Sequence, residues 1–369
     1  PWYPTLVPAE QYDSGRTKVY GCSQFLGSYT GPNQVYEYAS PVQYYEPEVM
    51  VTRGINEMYV YGGGFSGPPV SPAPSGPYVA KINPGDLSQV WRTYLLNLNA
   101  TSVGLGNTWM YIGGINVLKD GNIAVITNDY LYKLNGTTGA VEAALTLPSG
   151  NSSPPNTSWN GLAAWPDGTL VMKSLTRAPG CNAQALNVIY CPTEKNAPNS
   201  TVAVVDPKTW KVLDWLELGT MSGSRIAATV YNGKDYAYLG GPSNVYRFFW
   251  DGKNITVDKN WSATNLTKPG QTNINAATVA GDWVFVQTNN QPPSKVPMDL
   301  ILISQANASK ISRLTSPMPL APGQQSYIPA NTPMDIQNDM LVGADGGAGK
   351  MVGVKFNPVT GNMSVVWRA

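Results

Sequence analysis

The chain has 369 residues and a formal net charge of +1, and only 13% of its residues are charged, with no block of like charge. This balance argues against nucleic acid as a partner. Histidine is absent, which excludes Ser-His-Asp and Cys-His catalysis, imidazole general bases and His-ligated zinc. No apolar run approaches the roughly 18 residues needed to cross a bilayer, so we expect no membrane span.

In chain order, the predicted elements repeat a turn followed by a short apolar strand. The seven copies are Asp13–Cys22, Gly54–Gly63, Lys119–Thr127, Pro166–Ser174, Asn232–Gly241, Ala280–Thr288 and Gln337–Asp345. Each turn carries Gly, Asn or Asp, the residues that adopt positive φ most easily.

Further strands surround these copies. A second hairpin follows six of them, and an apolar stretch precedes each copy, for example Glu48–Thr52, Asn160–Trp165, Arg225–Tyr231 and Asn275–Ala280. Each unit therefore has four short strands, without helical periodicity between them. One such sheet cannot cover both of its faces, so the pattern predicts sheets packed face to face around an axis, as in a β-propeller.

We predict an all-β fold in which residues 1–369 form a single seven-bladed β-propeller of four-stranded antiparallel blades. The predicted blades are 1–47, 48–100, 101–150, 151–220, 221–266, 267–320 and 321–369. The first unit is short and begins with a stretch rich in Tyr and Pro. The alternative is therefore six blades plus an N-terminal arm within 1–47.

Two local motifs resemble known propeller families. The hairpins Asp206–Trp210 and Asn357–Gly361 resemble the quinoprotein-type repeat, and Trp159–Ser174 resembles the gluconolactonase and strictosidine-synthase-like propellers. Each resemblance covers one blade or hairpin, so what it implies is the fold.

The sequence also indicates the compartment. Ten positions fit Asn-x-Ser/Thr without Pro in the middle: Asn99, Asn135, Asn151, Asn156, Asn199, Asn254, Asn260, Asn265, Asn307 and Asn362. Chance predicts about four. This excess predicts N-linked glycans and an extracellular or cell-surface location.

The three cysteines fit an exported chain. Cys181 and Cys191 lie ten positions apart in a loop-like stretch, and we expect them to form a disulfide within an insertion at 175–200. Cys22 lies in an apolar run, where we expect a small buried thiol.

The lactonase-like resemblance implies a divalent cation at the mouth of the central channel, held by oxygen ligands from innermost strands. Glu48, Asn160, Asn275 and Asp335 fall in or near such strands, and their oxygen donors suit calcium. We nevertheless expect no metal and no cofactor, because Asn and Asp near strand ends cap turns, and calcium held by these four residues is the alternative.

The lack of a catalytic set favours a non-enzymatic scaffold or binding module, such as a subunit of a cell-surface layer or filament. A cell-surface partner or a second copy of the chain is then the expected partner, with the N-terminal stretch docking on a neighbour. The alternative function is a calcium-dependent, lactonase-like hydrolase with its site at the central channel.

Overall fold

The computed structural model describes residues 2–20, 39–44, 47–63, 76–95, 111–151, 156–178, 197–291, 293–329 and 332–369. These ranges contain 25 β-strands and no α-helix. None of the described segments is a helix that could span a bilayer. The strands form six antiparallel sheets, five with four strands and one with five.

The first three sheets are simple meanders of consecutive strands. Sheet I contains β1 (Pro47–Gly54), β2 (Glu57–Gly62), β3 (Tyr78–Ile82) and β4 (Gln89–Tyr94). Sheet II contains β5 (Gly114–Val117), β6 (Ile123–Thr127), β7 (Tyr130–Leu134) and β8 (Val141–Thr146). Sheet III contains β9 (Thr157–Ala164), β10 (Leu170–Thr176), β11 (Thr201–Asp206) and β12 (Lys211–Glu217).

The last three sheets follow the same order, except that two short strands share the first position of sheet V. Sheet IV contains β13 (Ala227–Tyr231), β14 (Lys234–Gly240), β15 (Val245–Trp250) and β16 (Ile255–Val257). Sheet V contains β17 (Asn273–Ile274), β18 (Thr278–Ala280), β19 (Trp283–Asn289), β20 (Leu300–Ser304) and β21 (Ile311–Leu314). Sheet VI contains β22 (Met334–Asp335), β23 (Met340–Asp345), β24 (Lys350–Phe356) and β25 (Met363–Arg368).

The sheets are arranged as propeller blades. The first strands of consecutive sheets contact one another, β1 to β5, β5 to β9, β9 to β13, β13 to β18 and β18 to β22, so they line a central channel. The last strands, such as β8 and β25, are the most exposed. Buried apolar clusters fill the seams from sheet I to II through sheet V to VI.

The position of the second strands explains why the sequence makes them short apolar runs. Each lies inside its sheet, and a neighbouring sheet covers it, as the fully buried Ile123–Thr127 illustrates. Six of the seven predicted copies are these second strands (β2, β6, β10, β14, β19 and β23). The Asn232-Gly233 turn before β14 has φ of 49° and 72°, which matches the twist of the strands it joins.

The first predicted copy is different. Asp13–Thr17 is a turn, in which the Thr17 amide donates to Asp13 Oδ1 at 2.9 Å, but Lys18–Tyr20 is not a strand. Residues 2–20 instead form an arm in the channel, and residues 21–38, which include Cys22, lie outside the described residues. The described residues contain six blades. Residues 21–38 and 45–46 of the first predicted unit lie outside the described residues, so the seventh blade stays a prediction.

The ring has two faces. Turns between the first and second strands and between the third and fourth strands lie on one face, which we call the turn face. Connections between the second and third strands and between sheets lie on the other, the loop face.

Candidate functional site

The arm, residues 2–20, crosses the central channel and contacts the first strand of every sheet. Backbone amides of the ring donate to its carbonyls in chain order: Thr52 to Val7 (2.8 Å), Val117 to Pro8 (2.6 Å), Ala228 to Ser14 (2.7 Å), Val279 to Gly15 (2.8 Å) and Met334 to Thr17 (3.0 Å). Sheet III joins through the Ala164 amide, which donates to Ser14 Oγ at 3.1 Å. The arm thus links all six described sheets.

The arm is held in an unusual backbone conformation. Gln11, Tyr12, Arg16 and Lys18 all have positive φ, between 58° and 83°. Non-glycine residues keep such angles only where surrounding contacts impose them, at a cost of about 1 to 3 kcal/mol each. Gly15 fits closely, since a Cβ there would lie 2.3 Å from the Val279 carbonyl oxygen.

A buried ion cluster lies at the centre of the arm. Glu10 Oε1 accepts from Arg16 Nη2 at 3.1 Å, and Glu10 Oε2 accepts from Arg225 Nη1 at 2.9 Å. Glu10 is 7% exposed and Arg16 is 1% exposed. Burial by itself raises the pKa of Glu10, but Arg225 and Arg16 together outweigh it, so that its pKa lies below its usual value. Both carboxylate oxygens are therefore engaged in ion pairs.

Arg225 also ties the cluster to the ring. Its Nη1 donates to the carbonyls of Gly113 at 2.7 Å and Asn160 at 2.6 Å, and its Nη2 donates to Ile112 at 3.2 Å. Arg225 therefore connects sheets II, III and IV to the arm residue Glu10. A guanidinium that is shared between a carboxylate and three carbonyls is held for recognition rather than for proton transfer.

Two lysines flank this cluster, Lys173 fully buried and Lys18 half-buried. Lys18 Nζ donates to Thr278 Oγ1 at 3.2 Å and to the Thr332 carbonyl at 3.1 Å, and Lys173 Nζ donates to the Ser222 carbonyl at 2.7 Å. Burial lowers the pKa of both amines well below their usual range, with smaller contributions from Arg16 at Lys18 and from Arg225 at Lys173. The Glu10–Arg225 pair therefore has three further basic side chains near it: Arg16, Lys18 and Lys173.

The four predicted oxygen ligands lie on first strands or next to them, as expected, in four different sheets. Glu48 is in β1, and Asn275 lies between β17 and β18, where its amide donates to the Gln287 carbonyl at 2.9 Å. Asp335 accepts from the Gln337 and Asn338 amides at 3.0 and 3.1 Å, so it caps the turn after β22.

Asn160 is the extra residue of a β-bulge between β9 and β10. It is 1% exposed, and neither atom of its amide group has a hydrogen-bond partner. Among the described residues, no three His, Cys, Asp or Glu side chains are grouped closely enough to hold a metal ion.

The predicted glycosylation sites divide between the two faces. Asn135, Asn254, Asn307 and Asn362 lie in turns between third and fourth strands, on the turn face. Asn151, Asn156, Asn199, Asn260 and Asn265 lie in connections on the loop face. Asn99, Cys181 and Cys191 lie outside the described residues, as does most of the predicted insertion at 175–200.

Two loop-face asparagines converge on one carboxylate. Nδ2 of Asn151 and Nδ2 of Asn199 each donate to Glu217 Oε1 at 3.0 Å. The two amide nitrogens that would carry glycans are therefore close neighbours.

Sequence reasoning missed the residues that dock the arm. Glu10 and Arg16 belong to no repeat, so periodicity gives no signal for them. Lys173 does give one, because it is a charged residue inside the apolar strand β10. Arg225 stands immediately before the apolar strand of sheet IV, but nothing in that position indicates a carboxylate partner 215 residues earlier in the chain.

No protein-family model matches the chain, and no curated protein matches it. Solved structures do match. The periplasmic gluconolactonase of Pseudomonas aeruginosa shares 12% identity, with a TM-score of 0.52 over 85% of this chain and 82% of that one. The Dos1 propeller also shares 12% identity, with a TM-score of 0.52 over 86% of this chain and 68% of that one.

A third similar structure is the dihydro-heme d1 dehydrogenase NirN in complex with DHE. It shares 12% identity, with a TM-score of 0.53 over 87% of this chain, which spans 57% of that chain. At these identities the similarity establishes the fold, a β-propeller, and not an activity.

Proposed function

We propose that this protein is an extracellular, N-glycosylated β-propeller that acts as a non-enzymatic scaffold, as a subunit of a cell-surface layer or filament. The observation that carries the proposal is the arm in the central channel. A channel hydrolase needs that space for its substrate, whereas here the chain's own residues 2–20 bond to the first strand of every described sheet.

The chemistry of the channel supports the same conclusion. Its arm carboxylate, Glu10, has both oxygens engaged by guanidinium groups, which leaves it a poor general base. Of the four oxygen ligands expected for calcium, Asp335 is occupied in a turn. The similarity to a gluconolactonase rests on 12% identity and concerns the fold.

The distribution of sequons supports an extracellular role. The described sequon asparagines lie on connections of both faces, and Asn254, Asn260, Asn265, Asn307 and Asn362 are exposed. Glycans at these positions would leave the sides of the ring and the inner turns of the turn face available to partners.

The deciding experiment tests the purified, secreted full-length chain for the properties expected of an enzyme and for those expected of a scaffold. We expect no saturable Ca²⁺ binding by calorimetry at millimolar concentrations, no turnover of a lactone panel, and glycopeptides at the exposed sequons by mass spectrometry. Ca²⁺ binding that Asn160→Ala abolishes, together with lactone turnover, would overturn the scaffold proposal. Electron microscopy of native material should show ordered assemblies, and isolated particles alone would contradict the layer or filament role.

A further inference from the structure

We propose that the channel of one copy accepts the arm of a second copy, so that neighbouring rings are joined by exchanged arms. This deepens the proposed scaffold function by naming the partner, a second copy, and the surface it uses. The arm belongs to none of the six sheets, so its exchange would leave every sheet intact, which makes the swap inexpensive.

The channel wall of the ring carries backbone donors that need acceptors. The amides of Thr52, Val117, Ala228, Val279 and Met334 face the channel and are satisfied by arm carbonyls. A buried amide without a partner costs free energy comparable to a lost hydrogen bond. An empty channel would therefore present unpaired donors around its wall, as an exposed sheet edge does for an added strand.

The arm and the channel are complementary in charge and in apolar surface. The Glu10 carboxylate of the arm meets the Arg225 guanidinium of the ring at 2.9 Å. Near the start of the arm, Trp2 packs against the cluster between sheets II and III, and Tyr3 packs against the cluster between sheets I and II. Backbone bonds, a charge pair and two aromatic side chains together form a specific recognition surface, whichever copy supplies the arm.

The chain between the arm and the first sheet is long enough for the arm to reach a neighbouring ring. Only the 18 residues from 21 to 38 separate the arm from the described residues 39–44, where Ser40 Oγ and Tyr44 Oη donate to the Leu87 carbonyl on sheet I at 3.0 and 3.2 Å. Eighteen residues can span at most about 60 Å. A domain of this length is about 50 Å across, so an arm can reach the channel of a ring packed beside its own.

Concentration decides which copy supplies the arm. Because an arm and its own ring belong to one chain, that arm competes with incoming arms at about millimolar effective concentration. We therefore expect each arm to occupy its own channel in dilute solution and arms to exchange where rings are packed at comparable or higher density, as in a layer or filament.

A cysteine test distinguishes exchange from self-docking. Thr5 Oγ1 of the arm lies 3.3 Å from Thr52 Oγ1 of β1, so Thr5→Cys and Thr52→Cys place two thiols within bonding reach. Full-length Thr5→Cys chains are mixed with full-length Thr52→Cys chains at about millimolar concentration and oxidised. The chain also has Cys22, Cys181 and Cys191, so mass spectrometry identifies the linked positions. A disulfide between position 5 of one chain and position 52 of the other shows that the arm of the first has reached the channel wall of the second.

The matched control replaces Thr52→Cys with Thr209→Cys, on an exposed turn of sheet III. We expect a linked heterodimer with Thr52→Cys in at least tenfold excess over this control, and its loss on dilution to micromolar concentration. Equal yields of linked heterodimer with Thr52→Cys and with Thr209→Cys, from chains that melt like the wild type, would overturn arm exchange. That result would show that copies associate by another surface.

A second measurement does not depend on the cysteines. Glu10→Arg places a cation against Arg225 and should release the chain's own arm from an otherwise intact full-length ring. A fluorescent peptide of residues 2–20 should then bind this variant at least 100-fold more tightly than it binds the wild type, and the same peptide carrying Glu10→Arg should not bind. Failure of the wild-type peptide to bind a folded Glu10→Arg ring would contradict the proposal. Lactone turnover would end the scaffold function without affecting either result.

Discussion

The seams between the sheets and the contact between arm and channel are held by opposite kinds of interaction. At the seam of sheets III and IV, Trp165 stacks on Trp250 with ring centroids 6.1 Å apart, inside a wholly apolar cluster. In the channel, Glu10 lies between two guanidinium groups, and backbone amides provide most of the other bonds. Apolar packing at the seams is non-directional and depends on side-chain volume. The polar contacts in the channel are directional and fit one particular segment, the arm.

The largest expected effect is in the ring. Trp165 is 0% exposed, and its Nε1 donates to the Tyr236 carbonyl at 3.0 Å. Trp165→Ala should lower the free energy of unfolding by about 5 kcal/mol, because it leaves a cavity and removes the hydrogen bond to the Tyr236 carbonyl. Trp215, which is 45% exposed on β12, is the control, and Trp215→Ala should cost about 1 kcal/mol. Similar losses in urea unfolding for both variants would show that the seams are not the main source of stability.

The seams were predictable from sequence and the channel was not, for a physical reason. The strands of each sheet are encoded locally, by a turn with Asn or Gly followed by apolar residues, as in Asn232–Gly241. Glu10 and Arg225 are 215 residues apart, and each alone is an ordinary charged residue. A single non-repeated contact leaves no period, so the turn at Asp13–Thr17 was placed in a blade when it belongs to the arm.

The predicted ligand set shows the same limit. Its four residues lie on or beside first strands, and the position of a strand within a sheet of consecutive strands is local information. Whether Asn160 or Asp335 turns toward the channel depends on bulges and turn caps, and the bulge at Asn160 arises from the register between β9 and β10. The sequence of one strand does not contain that register.

The second effect concerns the channel. Glu10→Gln removes the carboxylate between Arg16 and Arg225 and should cost about 3 to 5 kcal/mol, the usual cost of removing one partner from a buried ion pair. Glu142→Gln is the control, because Glu142 lies at the surface, 4.0 Å from Lys133, and that pair should contribute less than about 1 kcal/mol. Equal unfolding midpoints for Glu10→Gln and the wild type would show that the arm contributes little to the fold.

The same variant gives a signature in pH. The pKa of Glu10 is lower in the folded chain than its unfolded value of about 4.3. Its contribution is therefore fully present above that value and is lost as the pH falls from there through the lowered folded pKa. Glu10→Gln should flatten the acid side of the stability profile, and an unchanged acid slope would mean that Glu10 is not paired in solution.

A smaller and more local effect is expected at Gly15. Gly15→Ala places a methyl group 2.3 Å from the Val279 carbonyl oxygen, so the arm must shift, at a cost of about 1 to 3 kcal/mol. Limited proteolysis should then cut within residues 2–20 while the ring stays resistant. Nothing lies within 4 Å of the new methyl group in Gly219→Ala, so the protease should cut this variant as it cuts the wild type. An arm equally protected in both variants would contradict the tight fit at this position.

The smallest effect on stability, and the one most relevant to function, concerns the glycans. Ser158 and Thr201, the hydroxyl residues of the sequons at Asn156 and Asn199, are both 0% exposed, whereas Ser262, Ser309 and Ser364 are exposed. Transfer to Asn-x-Ser/Thr requires access to the whole sequon. An oligosaccharyltransferase acting on the folded chain should therefore modify Asn260, Asn307 and Asn362 and spare Asn156 and Asn199.

Glycopeptide mass spectrometry of folded and urea-unfolded chains, treated with the same enzyme, checks this. Unfolding should open Asn156 and Asn199, and full occupancy of both in the folded sample would contradict the burial of Ser158 and Thr201. At Asn199 the folded ring adds a second obstacle, because Asn151 shares the Glu217 carboxylate with it. Glycans on Asn156 or Asn199 in secreted material would then mean that transfer preceded folding, so their occupancy would reveal the order of the two events.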